Sequence, residues 1–181
     1  FLSKFLVHKI KKHDDARVVI LVDCSFASPE TRKFLSDWNK DNGSGCEVVM
    51  YSDKIFWNYK TVDEVEHAVI GYFDKIMLEL DINLKLLECI YSGYDGLNAF
   101  AAYLCTQHIK YIAVDNLGNP LNFALAEFLY DNERVKYSDT AQAYLDFLKK
   151  YDVLTARSEN VSSILFIDAS RTTEIKNYSN F

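Results

Sequence analysis

Acidic and hydroxyl side chains follow several apolar runs of this sequence, and these are the residue types best suited to chemistry. The run "RVVILVDCS" ends in Asp23 and Ser25, and the run "YIAVDN" ends in Asp115. Asp95 lies between them in the polar loop "YSGYDG". A carboxylate at such a position can act as a general base toward a hydroxyl group, or it can cap a helix or turn. The sequence leaves both roles open for each of the three acids.

The apolar runs before these polar residues predict the strands of a parallel sheet. Continuous apolar residues indicate strands buried on both faces, at 17–25, 46–52, 85–93, 109–116 and 162–170. Helical patterns lie between and after them, at 28–40, 61–81, 95–108, 120–131 and 138–152. This alternation predicts an α/β fold, a three-layer Rossmann-like domain with a mainly parallel sheet of about five strands and helices on both faces. We expect residues 1–181 to form this single domain.

Local signals predict where three of the helices begin. Ser28 suits an N-cap, and Pro29 suits the first helical position. Thr61 and Glu64 have the spacing of a capping box. Ser138 or Asp139 is expected to cap the last helix. The second helix should bury one face, formed by Val62, Val65, Val69, Phe73, Ile76 and Leu80. The final stretch "RTTEIKNYSNF" carries no clear signal.

Loops at the carboxyl ends of the strands are the predicted binding site. Ligands of open parallel sheets bind there, because several loops converge and helix N-termini present free N–H groups. Residues of these loops, most of them with hydroxyl, amide or acidic side chains, are predicted to bind substrate: Asp23, Ser25, Ser92, Gly93, Tyr94, Gly96, Asn116 and Asn119.

Several classes of function find no support in composition or motifs. The formal net charge of −6 leaves no basic footprint for nucleic acid. No apolar run has the length of a membrane span, and no glycine-rich phosphate cradle or G-x-S-x-G elbow occurs. The four histidines lack metal-ligand spacing, so neither a metal nor another cofactor is expected. The four cysteines are interpreted as unpaired thiols in a reducing compartment, which predicts a cytoplasmic protein.

The stretch "YIAVDNLGNPLN" resembles a segment of bacterial sialyltransferases and polysialyltransferases. That segment has apolar residues, then D-D-G, then one or two small residues and Asn. Here Asp115 matches the first acid, Asn116 replaces the second, and Leu117 precedes Gly118 and Asn119.

The residues upstream extend this resemblance to about 86–125. In the family, a strand leads into a polar loop, a helix and then the strand that ends in the acidic motif. The stretch "ECIYSGYDGLNAFAAYLCTQHIKYIAVDN" is similar to this layout. The resemblance therefore spans one strand–helix–strand unit.

The resemblance implies a two-domain GT-B glycosyltransferase of cell-surface polysaccharide synthesis. In such an enzyme the first half holds the acceptor sugar and supplies an acidic base, which implies a catalytic role for Asp115 or Asp95. The second half holds the nucleotide of the donor. Because this chain ends at Phe181, we expect it to be the first half alone, a transferase only when a second domain is present. The implied partners are a glycan acceptor and, through that missing domain, a nucleotide sugar.

Two other functions remain open. A non-catalytic α/β module that binds a protein partner fits the aromatic content of 14% and the lack of a complete catalytic set. A divalent-metal adhesion domain of von Willebrand A type fits "DCSFA", which approaches the D-x-S-x-S pattern but has Ala27 at its last position.

Overall fold

Strands and helices alternate along this chain. The computed structural model describes residues 18–25, 27–41, 46–92, 99–115, 141–153, 158–167 and 175–178. The chain divides into two compact units, Phe1–Ile55 and Phe56–Phe181. Each unit contains parallel strands together with helices, which confirms the predicted α/β class.

Unit 1 has two parallel strands connected through a helix. Its elements are β1 (Val18–Asp23), α1 (Pro29–Asp41) and β2 (Cys46–Tyr51). The strands pair from Val18 opposite Cys46 to Asp23 opposite Tyr51. The N-cap prediction is confirmed, because the Thr31 amide donates to Ser28 Oγ at 3.2 Å.

Unit 2 has a sheet of four strands in the order in which they follow one another along the chain. Its described helices and strands are α2 (Val62–Glu79), β3 (Cys89–Ser92), α3 (Ala99–Thr106), β4 (Tyr111–Asp115), α4 (Gln142–Lys150), β5 (Val161–Ile167) and β6 (Ile175–Tyr178). β3, β4 and β5 are parallel, and β6 runs antiparallel to β5.

The grouping of the strands differs from the prediction of about five strands in one sheet. In the described part of the chain, two parallel strands form one sheet, and three parallel strands plus β6 form the other. Main-chain hydrogen bonds can form between any two strands, so the partners depend on side-chain packing between distant segments, which the apolar pattern of one segment does not encode. The three-layer arrangement and the single domain stay predictions.

The sequence misplaced one strand boundary and left one strand without a prediction. The strand expected at 85–93 begins only at Cys89, because Leu84–Leu86 form a 3-10 helix that Asn83 caps by accepting a hydrogen bond from the Lys85 amide at 3.1 Å. β6 lies in the final stretch, where the sequence gave no signal, and it is held by its pairing with β5. The helix predicted at 120–131 and the caps Ser138 and Asp139 lie outside the described residues.

An aromatic cluster on α2 forms the core of unit 2. Four of the six residues of the predicted face of α2 are buried, Val65, Val69, Phe73 and Ile76, together with the neighbouring Met77, whereas Val62 and Leu80 at its two ends are half-buried. The centroid of the Phe73 ring lies 5.1 Å from the ring centroid of Phe100 and 5.3 Å from that of Tyr103, both on α3. The ring of Phe56 also packs against that of Phe73, with centroids 6.3 Å apart, and stacks on the ring of Tyr144 of α4, with centroids 6.4 Å apart. Three helices therefore share one set of packed rings.

The N-terminus of α2 is closed by the predicted capping box. The Glu64 amide donates to Thr61 Oγ1 at 3.2 Å, and the Thr61 amide donates to Glu64 Oε2 at 3.1 Å. The Lys60 amide donates to the same carboxylate oxygen at 2.9 Å. These bonds satisfy amides that the first turn of a helix leaves without partners.

A charged link joins α2 to the end of α4. Lys150 Nζ lies 2.5 Å from Glu66 Oε2, and the Tyr151 hydroxyl donates to Glu66 Oε1 at 2.9 Å. Burial acts to raise the pKa of Glu66, but the hydrogen bonds from Lys150 and Tyr151 outweigh it, so the pKa lies below its ordinary value.

Among the described helices, none is both long enough and apolar enough to cross a bilayer.

We expect Phe73→Ala to lower the free energy of unfolding by about 3–5 kcal/mol, because it empties the centre of the aromatic cluster. Leu78→Ala is a matched control on the same helix, since Leu78 is 82% exposed. Its cost should stay within about 0.5 kcal/mol. Urea unfolding measures both variants, and equal losses would contradict the packing described for α2.

Thr61→Ala should lower the free energy of unfolding by about 1 kcal/mol, since it removes the hydroxyl that accepts a hydrogen bond from the Glu64 amide. Thr61→Ser keeps the hydroxyl and should cost much less. Thermal and urea unfolding of both variants check this. A Thr61→Ser loss as large as that of Thr61→Ala would show that the methyl group, and not the cap, matters.

The Glu66 link predicts a pH dependence of stability. Because the folded-state pKa of Glu66 lies below its unfolded value of about 4.3, its contribution is present above that pH and is lost as pH falls through the folded pKa. Glu66→Gln should remove this part of the acid slope and cost roughly 0.5–1 kcal/mol at neutral pH.

The control for this measurement is Glu79→Gln, which disrupts an exposed pair with Lys75 on α2. It should change neither the slope nor the stability by a measurable amount. Urea unfolding at a series of pH values compares the variants. A Glu66→Gln profile that coincides with wild type would rule out the link as a source of stability.

Candidate functional site

The ends of β1 and β2 bring four polar residues together in unit 1. Asp23 is the last residue of β1 and pairs with Tyr51, the last residue of β2. The Cys24 amide donates to the Tyr51 carbonyl at 2.8 Å, so the pairing continues one residue further. Ser25, Ser52 and Asp53 follow directly at the same edge. We call Asp23, Ser25, Ser52 and Asp53 the strand-end cluster.

Asp23 organises this cluster through one carboxylate oxygen. Asp23 Oδ1 accepts hydrogen bonds from the Ser25 amide at 2.9 Å, the Ser25 hydroxyl at 2.6 Å and the Asp53 amide at 3.1 Å. Ser25 Oγ also lies 3.1 Å from Ser52 Oγ. Three donors on one oxygen fix the orientation of the carboxylate and stabilise its charge.

The two carboxylate oxygens of Asp23 differ in their hydrogen bonds. Among the described residues, none donates a hydrogen bond to Asp23 Oδ2, and the side chain is only half-buried. Ser25 and Asp53 are nearly fully buried, at 6% and 2% exposed. The cluster can therefore offer a fixed, charged acceptor to the hydroxyl or amine of a ligand.

Arg32 secures the loop that follows β1. Its guanidinium donates to the Cys24 carbonyl through Nη2 and to the Ala27 carbonyl through Nε, at 3.4 Å for the latter. Cys24 is completely buried, and burial raises the pKa of its thiol despite the nearby Arg32.

A second edge of strand ends lies in unit 2. Ser92 ends β3 and pairs with Val114, and Asp115 ends β4 one position further on, opposite Phe166 of β5. Since all three strands are parallel, the backbones of Ser92 and Asp115 lie at the same carboxyl edge of this sheet. This is the edge at which sequence reasoning predicted a ligand.

The predicted site residues are only partly brought together. Asp23 and Asp115 end strands of different sheets in different units, so the sheet edge predicted to carry both does not occur in the described residues. The prediction required their strands to belong to one sheet, and strand pairing does not provide this. The other predicted residues lie outside the described part of the chain: Gly93, Tyr94, Asp95, Gly96, Asn116 and Asn119.

Two members of the strand-end cluster were not among the residues predicted to bind substrate. Ser52 and Asp53 contact Ser25 and Asp23, and the sequence indicated them only as one of the strand ends at which a site was expected. The available signal was their place directly after β2, the next strand along the chain. Knowing that β1 and β2 pair in register would have identified both.

The described residues contain no group of three or more histidine, cysteine, aspartate or glutamate side chains placed to hold a metal ion. The Ser25 hydroxyl, which the adhesion-domain pattern assigns to a metal, donates to Asp23. The adhesion-domain hypothesis stays a prediction.

No protein-family model, curated protein or solved structure matches this chain. The resemblance between residues 86–125 and the sialyltransferase segment therefore stays a prediction. The described part of this segment contains β3, α3 and β4. Their order, strand then helix then strand, is the order that the resemblance implies.

Asp23→Ala should lower the free energy of unfolding by about 2–3 kcal/mol, because it leaves the donors of Ser25 and Asp53 without their charged acceptor. Asp23→Asn is the matched variant. Its amide oxygen keeps an acceptor at the position of Oδ1, with two lone pairs for the three donors, so its loss should be clearly smaller. Urea unfolding distinguishes the two variants, and equal losses would mean that the charge and not the hydrogen-bonded oxygen stabilises the cluster.

Proposed function

We propose that this chain binds a glycan acceptor at the carboxyl edge of the unit 2 sheet, as the acceptor-binding N-terminal domain of a GT-B glycosyltransferase of cell-surface polysaccharide synthesis. One observation carries the proposal. β3, α3 and β4 form a parallel strand–helix–strand unit whose strands end in Ser92 and Asp115 at nearly the same level of the sheet. This is the unit over which the sequence resembles sialyltransferases.

The residues at this edge suit a sugar chemically. Sugar hydroxyls both donate and accept hydrogen bonds, and a serine hydroxyl and a carboxylate, the side-chain groups of Ser92 and Asp115, are complementary to them. In the proposed reaction, Asp115 or Asp95 takes the proton of the acceptor hydroxyl. The hydroxyl oxygen then bonds to the anomeric carbon of the donor, and the nucleotide leaves with the electron pair of the broken bond.

The proposed reaction needs a donor held in line with the acceptor at reacting distance. We assign that task to a second, nucleotide-binding domain, so the chain by itself is proposed to bind the acceptor without transferring a sugar. The proposal includes a single Rossmann-like domain over residues 1–181 and a cytoplasmic location. The unpaired thiols of Cys24, Cys89 and Cys105 are compatible with a reducing compartment.

The strand-end cluster of unit 1 supports the same class of ligand. Asp23 is held by three donors on one oxygen and keeps the other for a ligand that donates a hydrogen bond. We propose that Asp23 and Ser25 contribute to the binding of hydroxyl-bearing ligands.

The proposal predicts binding of the chain to bacterial surface glycans on an array, with affinity lost in Asp115→Asn. The neutral amide removes a charge-assisted hydrogen bond, which should weaken binding about tenfold or more. Glu159→Gln is the matched control, since Glu159 is exposed and precedes β5, at the opposite edge of the sheet. Circular dichroism verifies that both variants fold.

Three outcomes separate the functions. Glycan binding that Asp115→Asn weakens and Glu159→Gln preserves supports the proposal. Binding that both variants preserve would remove Asp115 from the site. A folded chain that binds no glycan but associates with a protein partner would replace the proposal with that of a non-catalytic interaction module.

A further inference from the structure

We draw no further inference here: the strongest candidate, the surface at and after the C-terminal end of α2 where Leu78, Leu86 and Leu87 are exposed, carries nothing because the structure does not show what covers it.

Discussion

Two parallel strands cannot be joined by a tight turn, so the chain must return across the sheet between each strand and the next. In unit 1 this return contains α1, and between β3 and β4 it contains α3. Every return begins at the carboxyl edge of its sheet. For this reason the polar residues that end and follow β1 and β2 lie at such an edge, and Ser92 and Asp115 end β3 and β4 at another. Both candidate sites therefore follow from the parallel pairing.

The returning helices must bury one face each, and in unit 2 the aromatic rings allow this. Phe73 on α2 packs against rings of α3, and Phe56 joins the cluster to Tyr144 of α4. Full burial of a side chain of this size contributes about 1.5–3 kcal/mol, more than the exposed charged contacts around it. The capping box and the Glu66 link add smaller contributions to the stability that the packed apolar core provides.

The strand-end cluster shows how one carboxylate can serve structure and still be available to a ligand. Asp23 Oδ1 connects the end of β1 to the residue after β2 through the Asp53 amide. The hydrogen bonds to Oδ1 also fix the direction in which Oδ2 points. A ligand that binds Asp23 would meet an acceptor already in place, and binding would cost little side-chain entropy.

Local features of the chain were predictable from the sequence, because neighbouring residues determine them. The caps at Ser28 and Thr61, the buried face of α2 and the approximate positions of β1, β2, β4 and β5 all follow from propensity and periodicity. The polar ends of the strands could be located in the same way. The 3-10 helix before β3 escaped prediction because its apolar residues read equally well as strand.

Tertiary structure alone decided which strands pair. It grouped the strands into two sheets and paired β6 with β5. As a result, Asp23 and Asp115 are the last residues of strands that belong to different sheets. It also brought Ser52 and Asp53 to Ser25 and Asp23. Main-chain hydrogen bonds hold paired strands together but are nearly the same for any two strands. The choice of partners therefore depends on how side chains of distant segments pack, which a pattern within one segment does not encode.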